Sequence, residues 1–154
     1  MLRSNWIIWG FAIPKISALI LAAGSGLRAG SFSTPKQYQE IEGQALLAYS
    51  VKAFLATQQF STIVLVTAET QQEMCKRALG EWAQYIHLQV GGPTRQASTL
   101  AGLEFLESFS PDYVHIHDAA RALIKPLQLK KLNANLSPKE GQILAIPIID
   151  SLKK

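Results

Sequence analysis

Two cations, Arg28 and Lys36, stand in a small-residue stretch that also holds Gly24, Gly26 and Gly30. Glycines let backbone N–H groups turn toward a ligand at close range, because no Cβ stands in the way. Spaced cations beside such amides suit a polyanion, and a phosphate chain fits this description. Two familiar phosphate loops are excluded by spacing. The chain contains no Gly-x-x-x-x-Gly-Lys-Ser/Thr run. Gly24, Gly26 and Gly30 read Gly-x-Gly-x-x-x-Gly, not the dinucleotide fingerprint, and the loop runs past Pro35 before any helical pattern. The acidic residue expected at the end of the second strand is missing, since that strand ends Val66-Thr67-Ala68. A loop this long, with two cations inside it, suits a nucleoside triphosphate whose phosphates are chemically altered. The plain alternative is a solvated strand-to-helix turn that happens to be basic.

The elements that must hold these residues are legible from periodicity. Residues 16–21 form an uncharged apolar run, as a strand covered on both faces would. Residues 44–57 place Leu47, Val51, Phe54 and Leu55 on one helical stripe, and 62–67 read as a buried β-branched strand. The pattern continues with a helix over 69–79 stopped by Gly80, a strand over 85–90 and a helix over 94–109 through Leu100, Leu103 and Leu106. A strand at 113–116, a helix at 127–136 and a last strand at 143–149, interrupted by Pro147, complete it. Strands alternating with helices imply an α/β fold, a mostly parallel sheet with right-handed crossovers and helices on both faces. In such sheets ligands collect at the carboxyl ends of strands. The small-residue and charged turns all fall at such ends, which points to one shared site.

Composition sets the bounds. A chain of 154 residues, 48% hydrophobic and 17% charged, is one domain able to bury a core, not a disordered tail. A net charge of +4 suits an anionic substrate, while the spread of Lys and Arg gives no dense basic block for nucleic acid. The single cysteine, Cys75, rules out an internal disulfide and reads as a small packing residue in a helix. The apolar run from Trp6 to Ile13 falls far short of the roughly 20 residues a bilayer needs. A secretion leader cleaved near Ala22-Ala23-Gly24 would destroy the first strand and its loop. Residues 1–15 are therefore expected to be an extension ahead of a domain at 16–154, in a cytoplasmic chain without membrane partners.

Four short runs in register carry a family resemblance. Ala22-Ala23-Gly24-x-Gly26-x-Arg28 with Pro35-Lys36-Gln37-Tyr38 is the first. Gly91-Gly92-x-x-Arg95-x-x-Ser98, His117-Asp118-Ala119-Ala120-Arg121 and Pro147-x-x-Asp150-Ser151-x-Lys153 follow in order. Together they resemble the cytidylyltransferases acting on methylerythritol 4-phosphate in isoprenoid synthesis, whose close relatives act on ribitol 5-phosphate. The resemblance implies a nucleotidyltransferase domain, a Rossmann-like three-layer sandwich, that transfers CMP from CTP to a polyol phosphate and releases pyrophosphate. It implies that Arg28 and Lys36 contact the triphosphate and stabilise the transition state. A cation about 4 Å from a phosphate oxygen, at an effective dielectric near ~20, contributes several kcal/mol before desolvation. Ala22, Ala23, Gly24, Gly26, Gly91, Gly92 and Ser98 are expected around the nucleotide, with small residues letting the main chain approach a pyrimidine edge. Ala119, Arg121, Asp150 and Ser151 are expected at the polyol phosphate.

Asp118 is the expected metal-facing carboxylate, since Mg2+ takes one or two carboxylates plus phosphates and waters. Its neighbour His117 points to the other side of the strand and reads as a packed histidine. Arg95 reads as capping or solvating the helix that starts there, and Ser98 has no activating base that would make it a nucleophile. Three departures from the family pattern stand out. Ser151 replaces a threonine, Ala122 a proline, and the pattern continues beyond Lys154 with more sheet, a further phosphate-contacting lysine and an arm that pairs subunits. The resemblance thus implies a homodimer for the full-length family. For this chain it leaves a truncated relative that binds nucleotide with impaired catalysis as one expectation. A non-catalytic nucleotide-binding module and a dinucleotide-binding oxidoreductase fragment are the readings from other classes.

Overall fold

The structure is a computed structural model that describes residues 7–8, 11–24 and 34–145. A two-stranded antiparallel pair, β1 (Ile7–Ile8) and β2 (Phe11–Ala12), precedes the main sheet. Strand β3 (Ile16–Leu21) follows, then a small hairpin of β4 (Glu40–Ile41) and β5 (Gln44–Ala45). Helix α1 (Leu46–Leu55), strand β6 (Thr62–Thr67), helix α2 (Gln72–Leu79) and strand β7 (His87–Val90) come next. Helix α3 (Arg95–Glu107), strand β8 (Tyr113–Asp118) and helix α4 (Pro126–Ala134) complete the described chain.

Strands β7, β6, β3 and β8 lie side by side in that order, and every pairing is parallel. The chain steps outward from β3 to β6 and β7, then returns over the sheet through α3 to β8 on the other side of β3. The order therefore reverses between β3 and β8. In open α/β sheets this is where a crevice forms at the carboxyl ends.

The two-residue period of the strands sorts the core into two layers. Ala18, Ile20, Ile63 and Leu65 face Leu47, Val51 and Phe54 of α1, Cys75 and Leu79 of α2, and Leu129 of α4. Leu19, Val64 and Val66 face Leu106 of α3, with Leu103 and Phe105 beside it. Each fully buried side chain of this size stabilises the fold by about 1.5–3 kcal/mol relative to exposure. The sheet is thus covered by helices on both faces, and Cys75 is a buried packing residue.

Several expected boundaries shift, each for a local reason. Gln44 and Ala45 are taken by the β4–β5 pairing, so α1 starts at Leu46. Residues 69–71 form a tight 3-10 turn before α2, which ends where Gly80 adopts a φ of +55°. Tyr85 belongs to a further 3-10 segment, and β7 begins only at His87. Leu100 is 56% exposed. The buried face of α3 instead runs through Ser98, Gly102 and Leu106, four residues apart, and Leu100 lies about 200° round the helix from Ser98. Residues 143–145 form no strand, and the rest of that expected element lies outside the described residues. No helix among the described residues is long and apolar enough to cross a membrane.

Candidate functional site

The loop after β3 is closed by its own return. Ala22 leaves the strand with its N–H on the Val66 carbonyl at 2.7 Å. Residues 36–38 come back as a 3-10 turn, and Gln37, only 5% exposed, donates its amide to Ala22 O at 2.7 Å and Gly24 O at 2.8 Å. Tyr38 bonds Thr67 Oγ1 at 2.8 Å, at the carboxyl end of β6. Burial pushes its phenol up to about 12, so the hydroxyl stays protonated at neutral pH, and burial lifts the adjacent Cys75 thiol to about 11. Lys36 opens the turn, is exposed and makes no ion pair with any described residue. Neither Gln37 nor Tyr38 stood out as a chemical residue in the sequence. Their effect is to hold Lys36 at the strand end.

The second turn packs against the first. Gly91 donates its N–H to Thr67 O at 2.8 Å as the chain leaves β7. A Cβ on Gly91 would stand 2.7 Å from Ser98 Oγ and 2.9 Å from both Ala23 Cβ and Val66 Cγ1, so only glycine admits this approach. Thr94 caps α3 by accepting the Ala97 N–H at 3.0 Å, and Ser98 donates to Gly92 O at 3.1 Å from a buried position. Ala22, Ala23, Gly24, Gly91, Gly92 and Ser98 therefore sit at one end of neighbouring strands.

The third turn supplies charge. Asp118 is in register with Leu21 at the end of β8, and Ala119 donates its N–H to Leu21 O at 2.9 Å. The Ala119 carbonyl accepts the Ser50 hydroxyl at 2.9 Å and its side chain is fully buried. Ala119, expected among the substrate contacts, is a loop anchor in this structure. Asp118 Oδ1 accepts from Arg95 Nη2 at 3.1 Å, and Oδ2 from Arg121 Nε at 3.1 Å. Arg95 thus faces the β8 turn instead of its own helix end, a contact that spacing alone could not reveal. His117 packs 5.3 Å from the Phe54 ring and lies with Nε2 3.2 Å from the Arg121 carbonyl. Burial lowers its pKa, so the neutral ring is favoured and its Nε2–H donates to that carbonyl. It serves as a packed residue beside Asp118.

Arg95, Asp118 and Arg121 line one end of a cavity of about 840 Å³ that continues along β8 to Leu129 and Leu132 of α4. Ala22, Gly91 and Lys36 are not among the residues that line it. Among the described residues no group of three or more His, Cys, Asp or Glu converges. A cation at Asp118 would therefore find one carboxylate, a donor set that fits a hard divalent ion bringing phosphate oxygens with it. Gly26, Arg28, Asp150 and Ser151 lie outside the described residues.

Residues 16–154 match the family described as 2-C-methyl-D-erythritol 4-phosphate cytidylyltransferase. The bifunctional enzyme IspD/IspF of Bartonella tribocorum is 42% identical over 141 residues, which make up 91% of this chain and 35% of that protein. A solved 4-diphosphocytidyl-2C-methyl-D-erythritol synthase superposes with a TM-score of 0.73 at 28% identity, over 92% of this chain and 63% of that one. The corresponding synthase of Anaerococcus prevotii gives 0.60 at 31% identity, over 79% and 50%. The chain spans about a third (35%) of the length of the bifunctional relative it matches.

Proposed function

We propose, from the premise that this chain belongs to the 2-C-methyl-D-erythritol 4-phosphate cytidylyltransferase family, that it transfers CMP from CTP to methylerythritol 4-phosphate. A phosphate oxygen of the acceptor attacks the α-phosphorus, the bond to the bridging oxygen breaks, and pyrophosphate leaves. Both reactants are anions, so the chain's task is to align them and offset accumulating negative charge. Lys36 and Arg28 are assigned to the triphosphate. Ala22, Ala23, Gly24, Gly26, Gly91, Gly92 and Ser98 surround the nucleotide, with the Gly91–Ala23 contact setting how closely the main chain approaches the base. Arg121 binds the acceptor phosphate, with Asp150 and Ser151 at its hydroxyls. Asp118 would hold Mg2+, which when bound neutralises phosphate charge.

The observation that carries this reading is the meeting of three sequence-distant turns at the point of strand reversal. Gly91 lies so near Ala23 that a Cβ on it would stand 2.9 Å from the Ala23 Cβ, and Arg95 reaches Asp118. A pyrophosphate-release assay with CTP, Mg2+ and either methylerythritol 4-phosphate or ribitol 5-phosphate tests it, beside thermal-shift titration with CTP. Release favouring the methylerythritol acceptor is expected. Release only with ribitol 5-phosphate reassigns the acceptor, stabilisation without release leaves a binding module, and neither effect overturns the reading.

A further inference from the structure

None of the roles above uses Arg95. It is the first residue of α3, it is largely exposed, and it spans from the β7 turn to the β8 turn to reach Asp118 Oδ1 at 3.1 Å. Arg121 holds Oδ2 at 3.1 Å. Both oxygens of the Asp118 carboxylate are thereby engaged, and the trio carries an excess of one positive charge. An ionised carboxylate only accepts and offers about four lone-pair sites, and Arg95 Nε and Nη2 on Oδ1 with Arg121 Nε on Oδ2 already take up most of them. A cation alone meets that excess charge, and to be held by both oxygens it must displace at least one arginine. A triphosphate or a phosphomonoester offers the guanidiniums a better partner, several anionic oxygens that match the planar fork. With the arginines turned toward phosphate, the Asp118 oxygens are left open. Partly exposed ion pairs of this kind exchange at small cost, which suits a contact made to be surrendered.

We infer that Arg95 is a positioning residue that, together with Arg121, holds Asp118 closed to divalent cations until an anionic phosphate ligand draws the guanidiniums away. Cation and phosphate ligand then bind as interdependent partners, and the coupling is reciprocal. This inference rests on the proposed nucleotidyl-transfer site.

The test is binding of Mn2+ to the purified chain without nucleotide, followed by electron paramagnetic resonance. Arg95→Gln should bind Mn2+ roughly threefold to tenfold more tightly than the parent. Arg95→Lys, which keeps a charge that can face Asp118, should stay near the parent. Lys125→Gln removes the same charge from an exposed residue with no ion pair to Asp118 and should leave the affinity within about twofold. Asp118→Asn should abolish the gain in the Arg95→Gln background. No gain in Arg95→Gln, an equal gain in Lys125→Gln, or no detectable Mn2+ on any variant overturns the inference. Thermal-shift titration with CTP separates it from the cytidylyl reading. If CTP fails to stabilise the chain while the Arg95→Gln gain persists, the nucleotide is wrong and the closed carboxylate stands.

Discussion

Gln37 commits both amide hydrogens to carbonyls at the start of the loop it ends, and the bond to Ala22 O is buried away from water. Removing the donor strands the buried Ala22 acceptor, at about 1–3 kcal/mol. Gln37→Glu goes further, because it sets a carboxylate against the same two oxygens. Urea unfolding should show a larger loss for Gln37→Glu than for Gln37→Ala, and a smaller loss for the glutamate variant would remove Gln37 as the loop's fastener. Lys36 should behave in the opposite way. It is exposed and unpaired among the described residues, so Lys36→Ala should leave stability within about 0.5 kcal/mol. Its kcat should still fall about 100-fold if the ammonium meets charge that develops in the transition state. A rise in KM alone would make Lys36 a binding residue only.

At the scale of elements, α3 controls how the second and third turns meet, because its first residues carry Arg95 and Ser98. The helix lies unusually close to the sheet. A Cβ on Gly102 would stand 2.2 Å from Leu19 Cδ1 and 2.9 Å from Val66 Cγ2. Glycine within a helix costs about 1 kcal/mol relative to alanine, so propensity alone says Gly102→Ala stabilises. Overpacking of a dense core costs about 1–3 kcal/mol, and the clash with Leu19 should prevail. Thermal melting should show Gly102→Ala destabilised, and a higher Tm would mean that α3 can stand off from β3 freely. The same closeness accounts for Leu100. A helix seated on small residues turns its first leucine outward.

At the scale of the molecule, β8 differs from its neighbours. Strands β3 and β6 are buried almost throughout, whereas β8 is half-exposed along its length and has β3 as its one strand neighbour among the described residues. His115 on β8 packs edge-on 5.1 Å from Phe60 and near Phe54. Burial lowers its pKa, so the folded state disfavours the charged ring relative to an unfolded histidine near ~6.5. That contribution is complete above pH ~6.5 and is lost as the pH falls through the folded pKa. Melting curves between about pH 8 and pH 5 should show the parent losing stability on the acid side, and His115→Phe should lose less. Equal slopes would mean that the acid sensitivity originates elsewhere.

Chain order, strand identity and the placing of turns at strand ends followed from local rules. An uncharged run at 16–21 and a β-branched run at 62–67 can hardly be other than buried strands, and both have those limits in the structure. Glycines and caps then force the chain to turn where these runs stop. Such signals act over a few residues, so they survive being read one segment at a time. The tertiary structure alone decided the strand order, the reversal between β3 and β8, and the partnerships of Gln37, Gly102, Ala119 and Arg95. Those depend on atoms far apart along the chain, 13 residues for Gln37 and Gly24, 23 for Arg95 and Asp118 and 69 for Ala119 and Ser50, and no residue type announces a partner at that distance. Arg95 is the clearest instance. An arginine at a helix start looks like a solvated cap until the fold sets a carboxylate from another strand in front of it.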